Sequence, residues 1–332
     1  MALAIAVLGA TGYTGSFIVH ELRQRGIRPV VVGRDQAKLA AAFSAGHVEA
    51  RVAALDDAAG LDRALAGVDA VINCVGPFLD TAQPVIEAAL RARIHYFDLT
   101  AEQMSALATL DTFDQQARER GVVVAPAVGF YGALGDLLAT TAMGDWPQAD
   151  EIAVRIALDH WWPTNATRRT GARNTFPRLV LVDGVLTPLH PTPPAPWDFG
   201  APFGTLDLVA LPLTEVVLIA RHLAVRAVHT SINEAPLRDL RDPSTPPPSA
   251  ADASGRSSQQ FTLDVTVRRG ASERRAIAQG RDIYAVSAPL IVEAAERICN
   301  GEGATTGARP LGALLDAPSI LRALTPEHLT LA

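Results

Sequence analysis

The chain has 332 residues, 48% hydrophobic and 5% aromatic, enough for two domains that each bury an Ala, Val and Leu core without covalent staples. A formal net charge of −6 with no basic cluster excludes a nucleic-acid face, because counterion release needs several Lys or Arg on one side. Cys74 and Cys299 form neither a zinc pattern nor a disulfide framework, and no run approaches the roughly 18 uninterrupted apolar residues of a membrane helix, so the expectation is a cytoplasmic protein with no membrane partner.

From residue 1 to 126, short apolar runs alternate with longer helical patterns. The runs at 3–8, 29–32, 48–53, 70–75, 95–99 and 122–125 predict six strands. Residues 1–8 lack the basic region and cleavage site of a signal peptide and read as a buried strand. Strands separated by helices predict a parallel, doubly wound α/β sheet of the Rossmann type. Gly26 is placed to follow the first helix, Asp35 to cap the second and Pro84 to begin the fourth.

After Pro126 the alternation stops. Strand-like segments at 151–158, 179–182, 224–229, 261–268 and 274–279 predict a second α+β domain, mixed and largely antiparallel. Two Pro-rich stretches, 187–202 and 236–255, are expected as loops, the second one disordered. A last helix is expected over 288–299, with Ala288, Ile291, Val292, Ala295 and Ile298 on one face.

The first strand runs directly into Gly9-Ala10-Thr11-Gly12-Tyr13-Thr14-Gly15 and then a helical stretch. In that context the glycines read as a dinucleotide loop. The first permits a sharp turn, the second a close approach of backbone N–H groups to pyrophosphate, and the third tight packing of helix on strand. The helix N-terminus adds partial positive charge, and Thr11, Tyr13 and Thr14 stand in the same loop. No lysine follows the glycines, which excludes a nucleotide-triphosphatase loop.

The second strand ends at Gly33-Arg34, where NAD-selective domains place an acidic residue. A guanidinium there suits a bidentate pair with a 2′-phosphate, and Lys38 one helical turn on adds charge, so NADP(H) is the expected cofactor. The turn Cys74-Val75-Gly76-Pro77 after the fourth strand is expected beside the cofactor ribose.

These segments, with His95-Tyr96-Phe97-Asp98-Leu99-Thr100-Ala101-Glu102, Ala127-Val128-Gly129-Phe130 and Gly280-Arg281-Asp282-Ile283-Tyr284, resemble the saccharopine dehydrogenase-like reductase family, including its bacterial trans-acting enoyl reductases. The resemblance implies a discontinuous Rossmann domain, here 1–128 plus 284–332, around a substrate and dimerisation domain, here 129–283. It also implies a homodimer and NADPH-dependent reduction of a C=N or C=C bond. The chain departs from the family at Gly129–Asp136, where relatives more often carry an Asp-Ser-Val-Pro run.

Hydride transfer asks the protein to orient a substrate and supply one proton. Asp98, ending a strand, and Tyr131, in a glycine-bounded loop, are the preferred catalytic pair, expected in a cleft between the domains. Trp161, Trp162 and Arg173 are candidate substrate contacts, as an aromatic wall and an anion partner. The histidines show no metal-ligand spacing, so no metal is expected. Lys38 is the only lysine, which removes Tyr-x-x-x-Lys dehydrogenase and Schiff-base chemistry. Cys74 ends a strand and opens no second-domain helix, which argues against a thioester mechanism of the N-acetyl-glutamyl-phosphate reductase kind. The expectation is an NADPH-dependent reductase of a small biosynthetic intermediate, with an NADP(H)-binding redox sensor that regulates a partner protein as the alternative.

Overall fold

In the first half of the chain, strands and helices alternate as the apolar runs predict. The order is β1 (Ala4–Leu8), α1 (Tyr13–Gln24), β2 (Arg28–Gly33), α2 (Gln36–Phe43), β3 (Glu49–Val52), α3 (Ala58–Ala64), β4 (Ala70–Asn73), α4 (Phe78–Ala92), β5 (His95–Asp98), α5 (Gln103–Arg120) and β6 (Val123–Ala125). The computed structural model describes residues 3–44, 48–303 and 305–332, so the start of the strand expected over 1–8 lies outside the described residues. The chain divides into two units. One runs to Gly129 and resumes over Ser287–Leu315; the other comprises Phe130–Val286 and Asp316–Ala332.

Every pairing in the first unit's sheet is parallel, in the order β3, β2, β1, β4, β5, β6, extended at the far edge by β15 (Gly307–Ala308). The strand order reverses between β1 and β4, which is the point where an open α/β sheet binds a ligand beyond its carboxyl ends. The central strands β1 and β4 are buried at every position, as a sheet covered on both faces requires. Gly26 has φ +71° beyond α1, and Asp35 caps α2 by accepting from the Lys38 amide at 3.0 Å. Pro84 does not begin the fourth helix: α4 starts at Phe78 and carries Pro84 inside it, because the Glu102 carboxylate accepts from the first two amides. The last long helix, α10 (Ser287–Cys299), belongs to this unit, where Arg25 of α1 pairs with its Glu293 and Glu296.

The second unit opens on a wide turn, Phe130–Leu134, and α6 (Gly135–Met143). Then come β7 (Ala149–Leu158), α7 (Asn165–Arg173), β8 (Leu179–Val182), β9 (Val185–Pro188), β10 (Ala195–Asp198), β11 (Thr205–Ala210), α8 (Thr214–His222), β12 (Val225–Asn233), α9 (Glu234–Arg241), β13 (Gln260–Arg269) and β14 (Ser272–Arg281). The sheet runs β10, β11, β12, β7, β13, β14, β16 (Leu329–Leu331), with β8 and β9 branching from β12. Only β12 and β7 pair in parallel, so the mixed, largely antiparallel expectation holds. One face lies under α6, where a Cβ on Gly135 would meet Val154 in ordinary contact at 3.6 Å but stand 3.2 Å from the Glu215 Cβ, which would have to shift. The other face carries Arg155, Asp264 and Arg275 around Trp197, whose indole N–H donates to Asp264 at 2.7 Å.

Three expectations need correction. The stretch expected as a loop over 187–202 contains β10, with Pro196 on the sheet's edge strand, where a missing N–H costs no ladder bond. Residues 236–255 are partly helical, since Pro236 sits in the first turn of α9, where it gives up no intrahelical hydrogen bond. The stretch after 284 does not all return to the first sheet: α11 (Leu311–Leu314) ends the first unit, whereas α12 (Ala317–Ala323) and β16 join the second, because β16 completes the otherwise open edge of β14.

Candidate functional site

The glycine loop is built so that side chains cannot occupy it. A Cβ on Gly15 would stand 2.3 Å from the Gly9 carbonyl oxygen, and Gly9 has φ +78° with room for no Cβ against the Cys74 backbone at 3.2 Å. Gly12 caps α1 without a side chain, and its own amide donates back to the Gly9 carbonyl at 2.9 Å. Thr11 and Gly12 are exposed, while Tyr13 and Thr14 are half-buried at the first turn of α1. An uncapped helix N-terminus behind a cradle that a Cβ would fill fits a pyrophosphate, held by Gly9, Thr11, Gly12, Tyr13, Thr14 and Gly15. Beyond the end of β2, Arg34 and Lys38 are both exposed and four residues apart in sequence.

The turn after β4 packs on that loop, since Val75 Cγ2 lies 3.0 Å from where a Gly9 Cβ would be. Gly76 and Pro77 then lead into α4. Behind this turn lies a buried polar network. Asn73 Nδ2 donates to the Tyr96 hydroxyl at 3.3 Å, its Oδ1 accepts from the Val75 amide at 3.0 Å, and the Thr81 hydroxyl donates to the Val75 carbonyl. The Tyr96 hydroxyl donates to Asp98 Oδ2 at 2.8 Å; Asp98 Oδ1 accepts from the amides of Thr100 at 2.9 Å and Ala127 at 2.8 Å. Ala127 holds φ +59°, a left-handed conformation that a side chain disfavours, so the Asp98 bond helps pin the exit from β6.

Asp98 is therefore not open to a substrate in this structure: it is wholly buried and both oxygens are engaged. Burial pushes its carboxyl up to about 6, against hydrogen bonds from Ala127, Thr100 and Tyr96 that favour the charge. Burial, with Asp98 nearby, holds the half-buried Cys74 thiol well above its ordinary value, which disfavours the thiolate. Glu102 ends the His95–Glu102 segment, and no periodicity there signals a role for it. In the structure it is buried, its carboxylate accepts from the Phe78 amide at 3.3 Å and the Leu79 amide at 2.7 Å, and burial pushes it up to about 7.

In the second unit, Tyr131 occupies the wide turn with Gly132 at φ +143° behind it. Its ring stacks on Trp161 with centroids 5.1 Å apart and lies edge-on to Phe130 at 4.8 Å. The Thr214 hydroxyl donates to its carbonyl at 2.6 Å. The Tyr131 hydroxyl oxygen is buried with no hydrogen-bond partner among the described residues. Burial raises its pKa well above the ordinary tyrosine value, and the nearby Tyr284 and Glu215 add to the shift. Trp161 is fixed in turn, its indole N–H donating to the Tyr284 hydroxyl at 3.0 Å, which lies 3.0 Å from Thr167 Oγ1. No sequence pattern signals the contact of Tyr284 with Thr167, because only the fold joins residues over 100 positions apart. Trp162 stacks instead on His160 at 5.2 Å, and Arg173 is exposed in the last turn of α7. Among the described residues no group of three or more His, Cys, Asp or Glu is placed to hold a metal ion, and no helix is long and apolar enough to cross a membrane.

Comparison with known proteins agrees with this geometry. Residues 5–124 match the family described as the saccharopine dehydrogenase NADP binding domain. The saccharopine dehydrogenase-like oxidoreductase of Bos taurus is 27% identical over 152 residues, covering 40% of this chain and 35% of that protein. The trans-acting enoyl reductase of Mycobacterium ulcerans (strain Agy99) is 29% identical over 140 residues, covering 40% and 34%. These matches thus span about a third of each relative's length. The apo saccharopine dehydrogenase (L-Glu forming) of Saccharomyces cerevisiae shares the fold over 100% of this chain and 99% of its own, with a TM-score of 0.68 at 12% identity. The glycine cradle and the first strands of the parallel sheet thus lie within a stretch, residues 5–124, that is similar to the saccharopine dehydrogenase NADP binding domain.

Proposed function

We propose that the chain is an NADPH-dependent oxidoreductase that reduces the C=N or activated C=C bond of a small biosynthetic intermediate, with Tyr131 as proton donor. The observation that carries the reading is the Tyr131 hydroxyl, buried and without a hydrogen-bond partner among the described residues, on a ring held against Trp161. A buried hydroxyl without a partner costs about 1–3 kcal/mol, which a substrate atom accepting its hydrogen bond offsets. Bound NADPH supplies hydride to the electrophilic carbon. Tyr131 delivers its proton to the atom at the other end of the double bond, and solvent returns a proton to the tyrosinate. The upward shift of its pKa keeps Tyr131 protonated through neutral pH until a basic atom develops in front of it. The bovine and mycobacterial relatives, named an oxidoreductase and an enoyl reductase, support the reaction class.

Asp98 serves this reaction as a positioning residue, holding the ends of β5 and β6. Trp161 forms the aromatic wall of the substrate site, with Trp162 and Arg173 as further substrate contacts. The test is a screen of imines and activated enoyl compounds with NADPH. Tyr131→Phe is expected to lower turnover of the accepted compound by about 10²–10⁴-fold with the NADPH dissociation constant nearly unchanged. Full turnover by Tyr131→Phe removes it as the donor.

The chain also forms a homodimer through its second unit. Support comes from the β8–β9 hairpin, where Val182 and Val185 expose apolar side chains, with Phe176 exposed just ahead of β8, and where β9 pairs among the described residues only with β8.

A further inference from the structure

The amino end of α4 is held by a side chain that belongs to a different turn. Glu102, at the entrance to α5, sends both carboxylate oxygens to the Phe78 and Leu79 amides, at 3.3 and 2.7 Å. These are among the helix amides with no backbone partner, and Pro77, the residue at the cap position, supplies no side-chain acceptor. Glu102 is itself held, its own amide donating to Thr100 Oγ1 at 3.1 Å, while the Thr100 amide donates to Asp98. On the other side of α4's first turn, Thr81 and Asn73 grip the carbonyl and amide of Val75. Val75 and Cys74 are the groups that close over Gly9. A continuous set of contacts thus runs from the end of β5, through Glu102 and the first turn of α4, to the first glycine of the dinucleotide loop.

We propose that Glu102 is a positioning residue for dinucleotide binding, clamping the first turn of α4 so that the Cys74–Pro77 turn stays seated against Gly9. The inference rests on the dinucleotide reading of the glycine loop. The groups facing the carboxylate explain why a carboxylate and not an amide stands there: among the described residues it meets two amide donors, with Asp98 and Asp80 the nearby charges. A carboxylate accepts from both amides at once, whereas a glutamine offers one acceptor and must turn a donor towards the other. The clamp lies on the β4 side of the strand reversal, away from Arg34 and Lys38 at the end of β2, so it acts on the part of the ligand beyond the adenosine.

The experiment compares wild type, Glu102→Gln and Glu102→Ala by calorimetric titration with NADPH and with adenosine 2′,5′-bisphosphate, which carries only the adenosine end. Hydrogen exchange at Phe78 and Leu79 in the ligand-free proteins reports the clamp directly. Glu102→Ala is expected to weaken NADPH about tenfold, and Glu102→Gln about threefold, on the scale of one or two charge-assisted hydrogen bonds lost. Both variants are expected to bind the bisphosphate within about twofold of wild type and to exchange faster at the two amides. Equal weakening of both ligands assigns Glu102 a merely structural role and overturns the inference, as does unchanged NADPH binding. Wild-type protein that binds neither ligand overturns the dinucleotide reading and this inference with it, whereas failure of the inference alone leaves wild-type binding intact.

Discussion

At the residue scale, cofactor choice turns on one position. Arg34 stands where an acidic residue would accept the ribose hydroxyls of NAD, and in the fold it is exposed at the end of β2 with Lys38 one turn into α2. Arg34→Ala is expected to reduce the preference for NADPH over NADH by about 1–3 kcal/mol, the range for a charge-assisted hydrogen bond. Titration of both cofactors against both proteins measures it, and equal loss for the two would remove the 2′-phosphate role. The glycines and Arg34 were legible because each is dictated by a local constraint: a sterically closed loop, or a charge at a strand end. Asp98 shows the limit of such reading. Its place at the end of β5 was apparent, but whether its oxygens meet a substrate or three neighbouring donors depends on Tyr96, Thr100 and Ala127 arriving there, which only the sheet brings about.

At the element scale, α10 is tied to α1 by charges that are partly withdrawn from water. Arg25 donates to Glu21, Glu293 and Glu296, and Arg297 donates to Glu293 at 2.6 Å. Burial alone would raise the Glu293 carboxyl, but the two guanidinium groups outweigh it and hold it below the ordinary value. A lowered folded-state pKa means that this carboxylate stabilises the fold above the ordinary glutamate range, and that the contribution is lost as the pH falls through it. Glu293→Gln is therefore expected to destabilise the protein by about 1–3 kcal/mol near neutral pH, with the gap to wild type closing below about pH 4. Chemical denaturation at several pH values tests this. A gap that stays constant with pH would assign the loss to packing instead of charge. The apolar face of α10 was visible in the sequence, whereas its partner was not, since residues 25 and 293 meet only through the return of the chain.

At the scale of the whole molecule, the proposed homodimer gives a direct measurement. Sedimentation at micromolar concentration is expected to find a dimer, and Val185→Glu, which charges a position 61% exposed on β9, the outer strand of the β8–β9 hairpin, a monomer with its fold intact. A wild-type monomer, or a dimer undisturbed by the charge, rules out this hairpin as the interface. Sequence by itself determined the doubly wound sheet and the glycine cradle, because periodicity and steric need for glycine are properties of short segments. Tertiary structure alone decided that β16 leaves the first unit to complete the β14 edge, that Pro196 lies on an edge strand, that Glu102 caps a helix from another turn, and that Trp161 fixes Tyr131 while Tyr284 fixes Trp161. Each of those outcomes depends on which unsatisfied edge, amide or ring face a distant segment finds in space, and local pattern carries no record of such a partner.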